Sequence, residues 1–354
     1  MPKVLVFGAG ALGACYAYVL AKALGEIEVT TVCRSNYDEV ARNGFTINSK
    51  LWGNNLHFQP RVVRSPAEAA QLLVDGECFE YIIVTSKALT TTPSTPEILA
   101  PVVEKGRSAI VLIQNGIGIE NEYVTAFPGN SVLSAVAYFP ATQVRPGVVE
   151  HREVELLHVG TYPPDAPPAH KDVARAFVGL LGQGGATAKL HGDVQRERWV
   201  KLLVNAVWNP VCALTRLRDR EFIDADRDLR LGSTSTREKG KEEREGDRLV
   251  SEMGDGLRFI KDVMLEIASV AQAYGYGDVN EDMVDFQIKR AAVRDLPGVQ
   301  TSMLTDALAG RAMEVDAVVG NAVRMAREKG IETPMLKTIY VLANGLSVGF
   351  GKGS

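Results

Sequence analysis

The sequence predicts an α/β N-terminal domain, built on a doubly wound and mostly parallel sheet, followed by an all-α C-terminal domain. Three observations carry this reading. Short runs rich in Val and Ile alternate with helical patterns in the first half of the chain. A glycine-rich turn, Gly8-Ala9-Gly10-Ala11-Leu12-Gly13, follows the first of those runs. After about His191 the strand pattern stops, and helical periodicity continues to the end.

Taken in order, the candidate strands are Lys3–Phe7, Glu28–Cys33, Tyr81–Thr85 and Ala109–Ile113, with helical stretches such as Leu12–Leu24, Ala67–Leu73 and Pro96–Glu104 between them. Apolar strands separated by helices belong to a parallel sheet covered on both faces, which is the doubly wound layout. Two further strand-like runs, Val132–Tyr138 and Val148–Val159, flank the turn signal Arg145-Pro146-Gly147, and the expectation is that they pair antiparallel. A boundary near residue 192 gives a sheet domain over 1–192 and a helical domain over 193–354. Within the latter, the stretch at about 225–255 reads as an insertion. Its centre, 236–248, is TREKGKEEREGDR, which has no apolar face to bury and is expected to form a mobile surface segment.

With 354 residues, 46% hydrophobic and 23% charged, the chain has ample apolar material for two globular domains. A formal net charge of −4 offers no basic excess for nucleic acid or for an anionic membrane surface. Cys15, Cys33, Cys78 and Cys212 lie in apolar contexts without CxxC spacing, as expected of small buried hydrophobes in a reducing compartment. The histidines show neither HxxxH nor HExxH spacing, so no metal site is expected. No apolar run approaches the roughly 20 residues of a membrane span. A strand pattern beginning at Lys3 leaves no room for a leader, and the expected location is cytoplasmic.

The GxGxxG turn has a task for each glycine. Gly8 permits a tight turn, Gly10 lets the backbone approach a pyrophosphate, and Gly13 lets helix and sheet pack closely. The helix start behind it offers unpaired N–H groups and the positive end of a dipole to phosphates. Because the motif follows a strand and opens a helix, residues 8–13 are assigned to a dinucleotide in a Rossmann domain. About twenty residues past Gly13, where NAD-preferring domains carry an acid for the ribose 2′-hydroxyl, stand Arg34 and Ser35. A guanidinium binds a 2′-phosphate with a charge-assisted fork, so the pattern favours NADP(H) over NAD(H). The plainer alternative for Arg34 is a solvated arginine at a strand end. Two other loops at carboxyl ends of strands, Ser86-Lys87 and Gln114-Asn115-Gly116, are suggestive cofactor contacts.

In the second half, Trp199–Cys212 is apolar nearly all round, as a buried helix should be. Lys201, Asn205 and Asn209 interrupt it at four-residue intervals and so share one face. A buried ammonium and two amides need partners, either another helix or a polar substrate. An ammonium beside a carbonyl suits its reduction, because it stabilises charge on the oxygen and then donates the proton. Farther on, TSMLTD at 301–306 precedes GRAMEVD at 310–316, which holds Glu314 and Asp316; taken alone, these read as surface acids.

These pieces together resemble the ketopantoate reductase (2-dehydropantoate 2-reductase) family. The matching residues are GAGALG at Gly8–Gly13, Arg34, Lys87, NGIG at Asn115–Gly118, KLLVNAVWNP at Lys201–Pro210, the block from Thr301 to Asp316, and the tail Gly330-Ile331-Glu332-Thr333-Pro334. The resemblance covers almost the whole chain. It implies a Rossmann domain joined to a helical domain, with the active site in the cleft between them. It implies Lys201 as general acid, Asn205, Asn209 and Ser302 on the substrate, and Glu314 on a substrate hydroxyl and beside the cofactor ribose. It also implies Arg34, Lys87 and Asn115 on NADPH. The reaction implied is reduction of 2-dehydropantoate to pantoate. The chain departs from the family pattern in its charged insertion and in Val299-Gln300-Thr301, where some members carry an asparagine that helps hold substrate. A reductase of another small 2-keto acid and a non-catalytic NADPH sensor are the alternatives; a sensor has no need of Lys201 or Glu314. The partner expected is a small 2-keto acid, and a homodimer is compatible with the helical second domain.

Overall fold

The computed structural model describes residues 1–228 and 254–351. The charged run 236–248 lies outside the described residues. The chain divides into two compact units, Met1–Glu197 and Arg198–Ser354.

The first unit is built on twelve strands: β1 Val4–Phe7, β2 Val29–Val32, β3 Phe45–Ser49, β4 Gly53–Phe58, β5 Arg61–Val63, β6 Tyr81–Val84, β7 Ala109–Leu112, β8 Ser131–Tyr138, β9 Ala141–Arg145, β10 Val148–His151, β11 Leu156–Tyr162 and β12 Ala188–Leu190. Eight of them form one sheet in the order β12-β11-β8-β7-β6-β1-β2-β5. From β8 to β5 every pair is parallel, and β11 joins β8 antiparallel. Every residue of β1, β2, β6 and β7 is buried. Burial on both faces is why these strands read as continuous apolar runs. Helix Ala11–Leu24 follows β1 and packs on helix Pro168–Gln183, with Val19, Leu20, Phe177 and Leu181 in a shared core. The strand order reverses at β1, so the loops after β1 and β6 are neighbours at the sheet's carboxyl edge. Ligands bind at such a switch point in open α/β sheets.

A second sheet of four strands, β4-β3-β10-β9, packs its Phe45, Ile47, Phe58 and Val149 into the same core. This corrects one sequence expectation. The strand-like run Val148–Val159 is two strands, β10 and β11, in different sheets. The Arg145-Pro146-Gly147 turn joins β9 to β10, which pair antiparallel, with Gly147 at φ 76°. The antiparallel partner of β8 is β11, registered Leu156↔Tyr138 through Tyr162↔Val132. The chain leaves one sheet and enters the other across residues 152–155.

The described part of the second unit is helical. It holds helices Asp219–Asp228, Asp255–Ala273, Glu281–Ala292, Ser302–Leu308, Asn321–Glu328 and Pro334–Gly351, together with most of Gln195–Thr215, which begins three residues before the boundary. Leu202, Leu203, Ala206, Val207 and Cys212 of the last helix are buried. Asp219 is a buried polar organiser of this unit. Its carboxylate is 1% exposed, accepts from the backbone N–H of Val299 at 2.6 Å and of Arg220 at 2.8 Å, and pairs with Arg294. Removing one partner from such a buried ionic network costs about 3–5 kcal/mol. Asp219 thereby fixes the segment that leads into helix Ser302–Leu308, whose first turn is capped by Thr301 Oγ1 accepting from Leu304 N–H. All four cysteines are buried and free, and no described helix is long and apolar enough to cross a membrane.

Candidate active site

In the first unit the site starts from the glycine turn. Gly8 has φ 102°, a backbone that L side chains rarely adopt, and a Cβ there would stand 2.4 Å from the Ser86 nitrogen. The missing side chain lets the turns after β1 and β6 touch, and Thr85 Oγ1 donates to the Gly8 carbonyl at 2.8 Å. A Cβ on Gly13 would meet the Gly8 oxygen at 2.4 Å and Thr85 Oγ1 at 2.6 Å, so this glycine serves helix–strand contact. Gly10 is different: a Cβ there meets nothing within 4 Å. The space above Gly10 is open, as a cradle for phosphate requires. The helix behind it has no acid in its first turn, so no carboxylate competes with an anion for its N-terminal N–H groups. Of the remaining turn residues, Ala9 is buried and its carbonyl accepts from Asn36 Nδ2 at 2.8 Å, while Ala11 and Leu12 begin the helix. These features fit a dinucleotide pyrophosphate.

Arg34 and Ser35 are exposed just beyond β2, and the Arg34 guanidinium lies 5.6 Å from the Phe7 ring centroid. Sequence reasoning missed a neighbour. Arg64 follows β5, the strand beside β2, and Cys33 N–H donates to the Val63 carbonyl at 2.9 Å across the pair. Its guanidinium stacks 3.8 Å over the Tyr37 ring and bonds Asp38 at 2.7 Å. Two guanidinium-bearing side chains thus leave the same edge of adjacent strands. Lys87 is exposed in the turn after β6, and Asn115 is partly buried after β7, beside Gln114, whose Nε2 donates to the Ser86 carbonyl at 2.7 Å.

In the second unit, Lys201, Asn205 and Asn209 follow one another along a single helix face. Lys201 and Asn205 are partly buried and Asn209 is 7% exposed. Burial, reinforced by the Arg198 guanidinium, pulls the Lys201 ammonium from the usual 10.5 down to about 8, while the Glu314 carboxylate pulls the other way. Arg198, itself buried, was not singled out in the sequence. Asn209 Nδ2 donates to Ser302 Oγ at 3.4 Å, so the structure brings the lysine–asparagine helix and the serine block together. Glu314 is partly buried, and its carbonyl accepts from Val318 N–H at 3.1 Å at the start of a π-helical turn, Asp316–Gly320. Such turns recur at functional sites. Asp316 is committed elsewhere: its Oδ1 accepts from Arg324 at 2.9 Å and from the Tyr340 hydroxyl at 3.0 Å.

Residues 4–164 match the family described as Ketopantoate reductase PanE/ApbA, and residues 193–238 and 247–347 match its C-terminal family. The chain belongs to the ketopantoate reductase family. Among similar sequences, an uncharacterized protein of Saccharomyces cerevisiae is 29% identical over 97% of this chain and 92% of its own. A 2-dehydropantoate 2-reductase of Mesorhizobium japonicum is 27% identical over 98% of both chains. Among solved structures, 2-dehydropantoate 2-reductase from Methylococcus capsulatus superposes with a TM-score of 0.76 at 30% identity, covering 98% of this chain and 97% of the other. A D-mandelate dehydrogenase bound to NADH and anilino(oxo)acetate also gives 0.76, at 17% identity and 99% coverage of each chain, a likeness of fold.

Proposed function

We propose that this protein is an NADPH-dependent oxidoreductase that reduces a small 2-keto acid, and that the acid is 2-dehydropantoate, giving pantoate. One observation carries the proposal: a partly buried lysine whose ammonium is pulled down to about 8, on one helix face with two asparagines. A purely structural lysine gains nothing from that depression, whereas a general acid works best with a pKa near the operating pH.

In this reading the first unit holds the cofactor: the turn at residues 8–13 takes the pyrophosphate, Arg34 and Ser35 the 2′-phosphate, and Lys87 and Asn115 other parts of the molecule. When bound, NADPH would supply the hydride for the keto carbon. Lys201 stabilises the charge that grows on the carbonyl oxygen and gives it the proton, so that C=O becomes CH–OH. Asn205, Asn209 and Ser302 orient the substrate by hydrogen bonds that add no net charge. Glu314 takes a substrate hydroxyl and keeps the lysine protonated.

A second reading, reduction of a different 2-keto acid, is favoured by the segment before Ser302. Gln300 Nε2 donates to Thr305 Oγ1 at 3.0 Å and its Oε1 accepts from Arg218 at 3.3 Å, so this side chain is occupied within the protein. The deciding experiment follows loss of NADPH absorbance with 2-dehydropantoate and with a panel of 2-keto acids, NADH run alongside. Turnover of 2-dehydropantoate with a strong preference for NADPH is the expected result. Turnover of another acid alone would move the assignment to the second reading. Tight NADPH binding without turnover of any acid would make the protein a sensor.

A further inference from the structure

We propose that His158, His191 and Glu197 form a binding site for a divalent transition-metal ion such as Zn²⁺, at the start of the helix that carries Lys201. The histidines lie 33 residues apart in the chain, a spacing no sequence motif detects. The fold brings them together. His158 stands in β11 and His191 directly follows β12, the parallel neighbour of β11. His191 N–H donates to the Val159 carbonyl at 2.8 Å, which pins the residue to the strand. Gly160 allows the close approach, since a Cβ there would meet Val194 Cβ at 2.9 Å and the His191 oxygen at 3.1 Å. Glu197 lies in the first turn of helix Gln195–Thr215. That turn is anchored by Gln195, whose Nε2 donates to the buried Glu120 carboxylate at 2.9 Å.

The donor atoms converge. His158 Nδ1 is 2.7 Å from His191 Nε2 and 4.0 Å from Glu197 Oε2, and all three lie within 4.8 Å of one another. Tetrahedral Zn²⁺ with bonds of about 2.0 Å places its ligands roughly 3.3 Å apart. The His158–His191 separation must therefore open by about 0.6 Å, the His158–Glu197 separation close by about 0.7 Å, and the His191–Glu197 separation, which lies within 4.8 Å, close by up to about 1.5 Å. Shifts of this size call for rotation of the Glu197 side chain about its torsions. The two imidazoles hydrogen-bond to each other, and the cation would take the place of that bond. The other Glu197 oxygen, Oε1, accepts from Arg196 at 2.7 Å. The His158 and Glu197 side chains are only 10% and 15% exposed, so the site is shielded yet within reach of water for a fourth ligand. Two imidazoles and a carboxylate select Zn²⁺ and its neighbours over Mg²⁺ or Ca²⁺, which prefer all-oxygen sets. The bound ion would tie β11 and the turn after β12 to the first turn of the helix.

The test titrates the full-length protein with Co²⁺, followed by visible ligand-field absorption, and with Zn²⁺ by calorimetry. One ion per chain is expected, with a higher melting temperature in excess Zn²⁺. His191→Ala, at a partly exposed position outside the strands, should weaken binding at least tenfold while leaving the metal-free melting temperature nearly unchanged. Glu197→Gln checks the third ligand and should likewise lose affinity. Absence of binding, or binding that survives both substitutions, would overturn the proposal and leave a hydrogen-bonded histidine pair.

Discussion

On the proposed function, the pH dependence of reduction follows from the environment of Lys201. With its pKa held at about 8, the side chain is about nine-tenths protonated at pH 7 and about one-tenth protonated at pH 9. If the ammonium is the acid, kcat/KM should fall about tenfold between those two values, because this parameter reports the essential acid of the free enzyme. A lysine at the ordinary 10.5 would change by only a few per cent over the same range. The assay is the initial rate of NADPH oxidation across pH 6–10, corrected for cofactor stability. Glu314→Gln supplies the directional control. It removes the carboxylate that holds the pKa up, so the descending limb should move to lower pH. A profile flat to pH 9 in the wild type, or a limb that does not move in the variant, refutes the assignment of the proton to Lys201.

Lys201→Ala should cut turnover by about 10²- to 10⁴-fold, the usual worth of a positioned acid, with NADPH affinity by fluorescence titration nearly unchanged. The same lysine should cost stability. A depression from 10.5 to about 8 corresponds to about 3 kcal/mol at neutral pH, so Lys201→Met should raise the denaturant midpoint even as it removes activity. The sign is checked by linkage: between about pH 8 and 10.5 the unfolded chain binds a proton that the native chain does not, so the wild type should gain stability as pH rises and the Met variant should not. Arg34→Ala should raise the NADPH Kd far more than the NADH Kd, with Arg64→Ala giving a smaller loss of the same kind; equal losses for both cofactors would remove the 2′-phosphate from this edge. Gly10→Ala should fold normally and bind the dinucleotide poorly, whereas Gly8→Ala should lower the melting temperature, because only the latter adds a Cβ against backbone atoms.

The parts of the fold that were legible in the sequence are those whose burial is uniform. β1, β2, β6 and β7 are buried at every residue, so they stand out as apolar runs between helices. The second sheet leaves no such trace. β4 reads GNNLHF, with four of its six residues exposed, and its place is set by pairing with β3. β5 has only three residues. The run Val148–Val159 looked continuous because only residues 152–155 separate two strands that pair in different sheets. Local pattern reports which residues are buried, and says little about which neighbour buries them. The site divides in the same way. The four-residue spacing of Lys201, Asn205 and Asn209 is a property of one helix and was readable. Arg64, Asp219 and Arg198 were not, since each owes its role to groups distant in sequence or to the packing around it.

If Lys201 is the acid, its environment also indicates which variable controls it. Arg198 and Glu314 act on its proton in opposite directions, and burial is the largest influence. The two charges offset one another in part, so exclusion of water sets the strength of the acid. Any rearrangement that lets water reach the ammonium moves its pKa back toward 10.5 and makes it a poorer donor at neutral pH. On this reading, a substrate that keeps water away would maintain the acidity that its own reduction requires. A keto acid too small to exclude water should therefore lose kcat as well as affinity, with the descending limb of its kcat profile, which reports the substrate complex, displaced upward. That displacement separates a badly solvated fit from simple weak binding, which would raise KM and leave the limb where it is.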